Sequence, residues 1–132
     1  MAFWNIKIHQ PYRMYKKIEL PFCSLEIYES SIVGTINEGV NLCVDKSAQI
    51  IELAINHFQS KPFVYIANRK HSYSVDPIIY KYNSEIKTLS GFAIVTNNVH
   101  TNTVDIEKIF SNKPLEAFSS LKEAMDWTEH IL

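Results

Sequence analysis

Residues 61–68 read Lys61-Pro62-Phe63-Val64-Tyr65-Ile66-Ala67-Asn68, and residues 91–96 read Gly91-Phe92-Ala93-Ile94-Val95-Thr96. Each holds a short, nearly all-apolar run rich in β-branched and aromatic residues, introduced by a proline or a glycine. A run of this length fits a strand covered on both faces. Such strands belong to parallel sheets packed between helices.

Before the first run, Leu25 and Ile27 alternate with polar residues, Ser30-Ser31 interrupts, and Ile32-Val33-Gly34-Thr35-Ile36 resumes. This predicts two antiparallel strands joined by a tight turn. Asn37-Glu38-Gly39 closes the second. With Asp45 as N-cap, Ile51, Ala54, Ile55 and Phe58 recur at helical spacing, predicting an amphipathic helix over 46–59 that Lys61-Pro62 stops. Between the two apolar runs lies a polar loop. It ends at Asp76-Pro77, a helix start that predicts a short helix over 77–82. After the second run a helix is expected with Ile106, Ile109 and Phe110 on its inner side, ended by Lys113-Pro114. Leu115-Glu116-Ala117-Phe118 reads as a last strand. Ser120-Leu121-Lys122-Glu123 is a capping box opening a helix through Ala124, Met125, Trp127 and Ile131. The order ββαβαβαβα implies a single-domain α/β fold, with a mixed sheet of roughly five strands and right-handed crossovers.

The chain has 132 residues, 46% of them apolar, enough for one core. A formal charge of −1 argues against nucleic acid as a partner. No apolar run approaches the ~20 residues that span a bilayer, and the first residues do not form a secretory signal. Cys23 and Cys43 stand apart, without metal-ligand spacing, and read as reduced thiols of a cytoplasmic protein. No metal motif, nucleophile elbow or glycine-rich phosphate loop is present, so no enzyme activity and no cofactor are expected. Glu26, Glu29, Asp105 and Glu107 read as solvated charges. His57 reads as a surface or boundary residue, and His100 falls near the start of the third helix.

Residues 1–16 form an arm before a domain of residues 17–132. Lys7, Arg13, Lys16 and Lys17 precede the first acid, Glu19, and Trp4, Ile6 and Ile8 alternate with Asn5, Lys7 and His9 until Pro11 breaks the pattern. The arm suits an edge strand lying on the core. The less favoured alternative, given that four cations attract only weakly, is a basic, aromatic segment for an acidic partner or an anionic membrane surface. An apolar strand edge also allows a homodimer.

Ligands of open α/β sheets bind outside the carboxyl ends of the strands. The segment 68–76 falls there, with Asn68, Arg69, Lys70, Ser72, Tyr73, Ser74 and Asp76 as candidate partner- or anion-binding residues. The plainer alternative has Ser74 and Asp76 capping the next helix while Arg69 pairs with a surface carboxylate. Tyr65, Tyr73, Tyr80 and Tyr82 gather around the same segment and suit either a half-buried core edge or an interface.

Three stretches carry a family resemblance: Gly91-Phe92-Ala93-Ile94-Val95, Glu107-Lys108-Ile109-Phe110 with Lys113-Pro114, and Phe118-Ser119-Ser120-Leu121-Lys122-Glu123-Ala124-Met125-Asp126-Trp127. Together with the element order, over residues 20–131, the chain resembles the STAS-like family, in particular the SpoIIAA-like proteins (STAS/SEC14-like domains). The resemblance implies a non-catalytic regulatory module that binds a protein partner. The serine-bearing D-S-S-G segment of the anti-sigma-factor antagonists has no counterpart here, where the equivalent region reads Arg69-Lys70-His71-Ser72-Tyr73-Ser74-Val75-Asp76. The SEC14 side of the resemblance implies instead a small apolar ligand or lipid, which needs a pocket of roughly 300 Å³ or more between sheet and helices. An uncharacterised enzyme is the third reading.

Overall fold

The structure is a computed structural model that describes residues 12–99 and 102–132. The alternation of Trp4, Ile6 and Ile8, the break at Pro11 and the placement of His100 lie outside the described residues. Strands are β1 (Lys16–Leu20), β2 (Cys23–Ile27), β3 (Ser31–Ile36), β4 (Asn41–Leu42), β5 (Phe63–Asn68), β6 (Ser74–Val75), β7 (Leu89–Val95) and β8 (Leu115–Phe118). Helices are α1 (Val44–Phe58), α2 (Ile78–Asn83), α3 (Asn102–Phe110) and α4 (Leu121–Ile131).

Six strands form the main sheet in the order β1-β2-β3-β5-β7-β8. The β1-β2-β3 meander is antiparallel, and β3, β5, β7 and β8 run parallel. The sheet therefore has one strand more than expected. β1 begins within the segment read as an arm, because Ile18 and Leu20 alternate with Lys17 and Glu19 in register with β2. A lysine-rich edge strand with one half-covered face gives a weak apolar signal.

β5 and β7 are the buried centre, as their composition demands. Phe63, Tyr65 and Ala67 face the main core with Phe92 and Ile94, while Val64 and Ile66 face the opposite side with Ala93 and Val95. α1, α2 and α3 cover the first face and α4 the second. Phe58 of α1 stacks on Phe63 with ring centroids 4.9 Å apart. Gly91 is where α4 comes close: a Cβ there would lie 3.1 Å from the Pro114 carbonyl oxygen and 3.3 Å from Trp127 Cη2.

Two helix starts illustrate different solutions. α1 starts at Val44, with Cys43 in the cap position and no side-chain cap bond. Asp45, expected as the cap, instead lies in the first turn, where a carboxylate meets the positive end of the helix dipole. α4 has the expected box, with the Glu123 amide donating to Ser120 Oγ at 3.2 Å. Ser120→Ala is expected to cost about 1 kcal/mol, read as a lower urea midpoint at constant slope; an unchanged midpoint would show that the cap bond contributes nothing.

The largest departure concerns α3. Ile106 and Ile109 were expected inside, yet they are 48% and 79% exposed. The buried positions are Val104 and Glu107, with Phe110 half-buried. Glu107, expected in solvent, is 2% exposed. The reason is a cation waiting at the end of β5.

Candidate functional site

Arg69 follows the last residue of β5, on the face that carries α1, α2 and α3. Its Nη1 donates to Glu107 Oε1 at 2.9 Å, and its Nη2 donates to Glu107 Oε2. Two parallel bonds from a planar guanidinium to a carboxylate form the strongest kind of side-chain pair. Tyr80 of α2 donates its hydroxyl proton to Glu107 Oε2 at 2.5 Å and accepts from Arg69 Nη2 at 3.3 Å. Arg69 Nε reaches the Tyr73 hydroxyl at 3.3 Å, and the guanidinium lies over the Tyr73 ring. A partner is needed because a buried charge left alone is very costly. Arg69 therefore does pair with a carboxylate, but one drawn into the core from α3.

The electrostatics follow from burial. Burial opposes the Arg69 charge, and the hydrogen bonds it donates to Glu107 together with the surrounding tyrosines outweigh it and raise its pKa. Tyr80 is held well above the usual phenol range, first by burial and then by the neighbouring Glu107 charge. Tyr73 is raised by burial, with Arg69 pulling the other way. Both phenols are neutral hydrogen-bonding groups at ordinary pH.

Tyr65 is the odd member. Burial raises its pKa well above the ordinary value, and its hydroxyl is the buried side-chain polar atom without a hydrogen-bond partner among the described residues. It lies over Gly34 of β3. Of the four tyrosines, Tyr65, Tyr73 and Tyr80 converge around Arg69, while Tyr82 is 56% exposed.

The rest of segment 68–76 is tied down rather than free. Asn68 ends β5, half-buried. Ser72 donates its backbone N–H to Glu38 Oε1 at 3.0 Å, and its carbonyl accepts from the Gly39 amide at 2.8 Å. Ser74 lies in β6, which pairs in parallel with β4, and its hydroxyl donates to Asn41 Oδ1 at 2.8 Å. The segment is thus a loop with a strand inside it. Pro77, not Asp76, occupies the cap position of α2, with no side-chain cap bond. Asp76 Oδ1 accepts from the Ile78 amide two residues on at 3.2 Å, and Ser74, bonded to Asn41, does not cap the helix. Lys70, His71 and Ser72 form the exposed tip.

Two spaces flank this region. The apolar gap between the sheet and α1 and α2, bordered by Leu42, Ile50, Tyr65, Ile79, Tyr80 and Phe92, measures about 10 Å³. That is room for one water at most. On the other side, an open polar cleft of about 620 Å³ runs along the carboxyl ends of β5 and β7, lined by Asn68, Arg69, Lys70, Thr96, Asn97 and Ser119 among others. The cysteines are free thiols, and burial pushes Cys23 up to about 11, which leaves it unreactive at neutral pH. Among the described residues no group of three His, Cys, Asp or Glu could hold a metal ion, and no helix is long and apolar enough to cross a membrane.

No family model and no curated protein matches the sequence. A crystal structure of an uncharacterised protein of the DUF3478 family from Shewanella loihica PV-4, described as having a SpoIIAA-like fold, does match in shape. The match covers 89% of this chain and 94% of that one, with a TM-score of 0.51 and 9% sequence identity. At that identity the likeness speaks of backbone architecture alone. With its parallel β3-β5-β7-β8 core, its antiparallel edge and helices on both faces, the chain has a SpoIIAA-like fold.

Proposed function

We propose that the chain is a non-catalytic recognition module whose protein partner contacts the tip of segment 68–76. The observation that carries this reading is the combination of a closed core with a braced loop whose tip is exposed. Arg69, Ser72, Ser74 and Asp76 are each bonded to the body, and Lys70, His71 and Ser72 stand exposed between them. Binding to a loop already held in shape avoids the entropy of ordering it. The apolar gap of about 10 Å³ supports this reading over a lipid or other apolar ligand. A polar small molecule is the second reading, favoured by the cleft of about 620 Å³, a volume within the usual range for ligand sites.

The test compares wild-type protein with Lys70→Glu/His71→Glu as bait in extracts of the native host, beside native mass spectrometry of the purified chain. A partner held by wild type and lost from the variant is the expected result. Equal retention by both sinks the loop as contact surface, and a stoichiometric small molecule on the wild-type chain moves the reading to the cleft.

A further inference from the structure

Helix α3 has two faces able to meet the body. The face in use presents Val104 and Glu107, while Ile106 and Ile109 stay largely in solvent. Adjacent helical positions differ by about 100° of rotation, so a roll of that size exchanges Glu107 for Ile106, brings Ile109 closer to the body and turns Val104 out of the core. What holds the present face inward is Val104 in the core together with the clamp on Arg69, made across 38 positions of sequence. The Arg69 side chain is 14% exposed, and the residue also borders the open cleft.

We propose that Arg69 is a latent oxyanion site: a carboxylate or phosphoryl group entering from the cleft replaces the Glu107 carboxylate on the guanidinium, and α3 rolls to turn Ile106 and Ile109 inward. A guanidinium fork presents the same paired donors to any planar pair of oxygens, so the incoming group recovers both bonds. Tyr73 and Tyr80 hydroxyls lie against the same guanidinium and remain available. The exchange keeps the buried charge count constant and returns the Glu107 carboxylate to water, where an ion is best solvated. Ile106 and Ile109 leave water in the same step while Val104, 2% exposed in the core before the roll, turns outward, so two apolar side chains are gained against one lost. Glu107 is, in this arrangement, a built-in competitor for its own binding site.

The test titrates the isotope-labelled full chain with inorganic phosphate and, separately, with acetate, following the Arg69 Nε–H signal and the amides of Ile106 and Ile109 by NMR. Saturable movement of Arg69 and both isoleucines together is expected with at least one anion. Which of the two acts distinguishes a phosphoryl from a carboxylate ligand. Glu107→Gln, a weaker competitor, is expected to bind about tenfold more tightly, and Arg69→Lys to lose the response. Should Glu107→Gln fail to fold, Glu107→Asp, whose carboxylate falls one methylene short, makes the same comparison. An unmoved Arg69 signal, or equal affinity in wild type and the Glu107 variant, overturns the proposal. Such a failure leaves the partner reading intact, because the loop tip takes no part in this measurement.

Discussion

Glu107→Ala is expected to lower the unfolding free energy by about 3–5 kcal/mol, the range for removing one partner of a buried pair. The argument rests on what stays behind. Arg69 cannot shed its proton at any accessible pH, so without Glu107 its charge remains beside Tyr73 and Tyr80 with hydroxyls alone to satisfy it. The Tyr80 hydroxyl also loses its acceptor inside the core. Removing both charges is different. Arg69→Leu/Glu107→Leu is expected to be far less damaging than either single change, because apolar pairs of similar volume often replace buried ion pairs without loss. Urea denaturation of the two single variants and the double variant forms a cycle that isolates the coupling. A single-variant loss below about 1 kcal/mol, the ordinary scale of point changes, would mean that the carboxylate is solvated and the clamp is not what holds α3.

Gly34→Ala is expected to destabilise the protein by about 1–3 kcal/mol, the scale of overpacking a filled core. An added Cβ would lie 2.5 Å from Tyr65 Oη and 3.2 Å from two of its ring carbons. Tyr65 has little space to yield, since it is buried between Ile32 of β3 and Phe92 of β7 in the sheet register. The same residue supplies the control. The Tyr65 hydroxyl has no partner among the described residues, so Tyr65→Phe is expected to be neutral or to stabilise by up to about 1 kcal/mol. In the Tyr65→Phe background the alanine at position 34 loses its worst contact, and most of its penalty is expected to vanish. Thermal unfolding of the four proteins measures this. Additive effects would place the Gly34 penalty elsewhere in β3.

The central strands were legible because they carry apolar residues on both faces, and little else in the chain does. The α4 start was legible because a capping box is a local chemical motif. The edge strand β1 was hidden: in Lys16-Lys17-Ile18-Glu19-Leu20 the alternation lasts only five residues and opens on two charges. The inner face of α3 was misread for a physical reason. Helical periodicity weighs apolar residues, so Ile106 and Ile109 claimed the interior against a carboxylate. Nothing local says that a guanidinium lies within reach 38 positions earlier. A faint signal existed in the spacing of Val104, Glu107 and Phe110, which share one side of the helix, and in a cation placed directly after a buried strand among tyrosines. Segment 68–76 was found as the position of interest, yet its inner β6 strand was missed, because two residues pairing in parallel leave no periodicity.

The order of strands has a consequence for how the chain comes into being. The meander β1-β2-β3 closes through short turns, so it can assemble as soon as its residues emerge. β5 follows, and its outer neighbour β7 and its covering helix α4 are made only later. For that interval the buried central strand Phe63–Asn68 has one bare edge and one bare side. Nascent segments of that kind are the ones that stick to other chains and that chaperones shield, so the tight centre of the finished protein is its most vulnerable piece during synthesis.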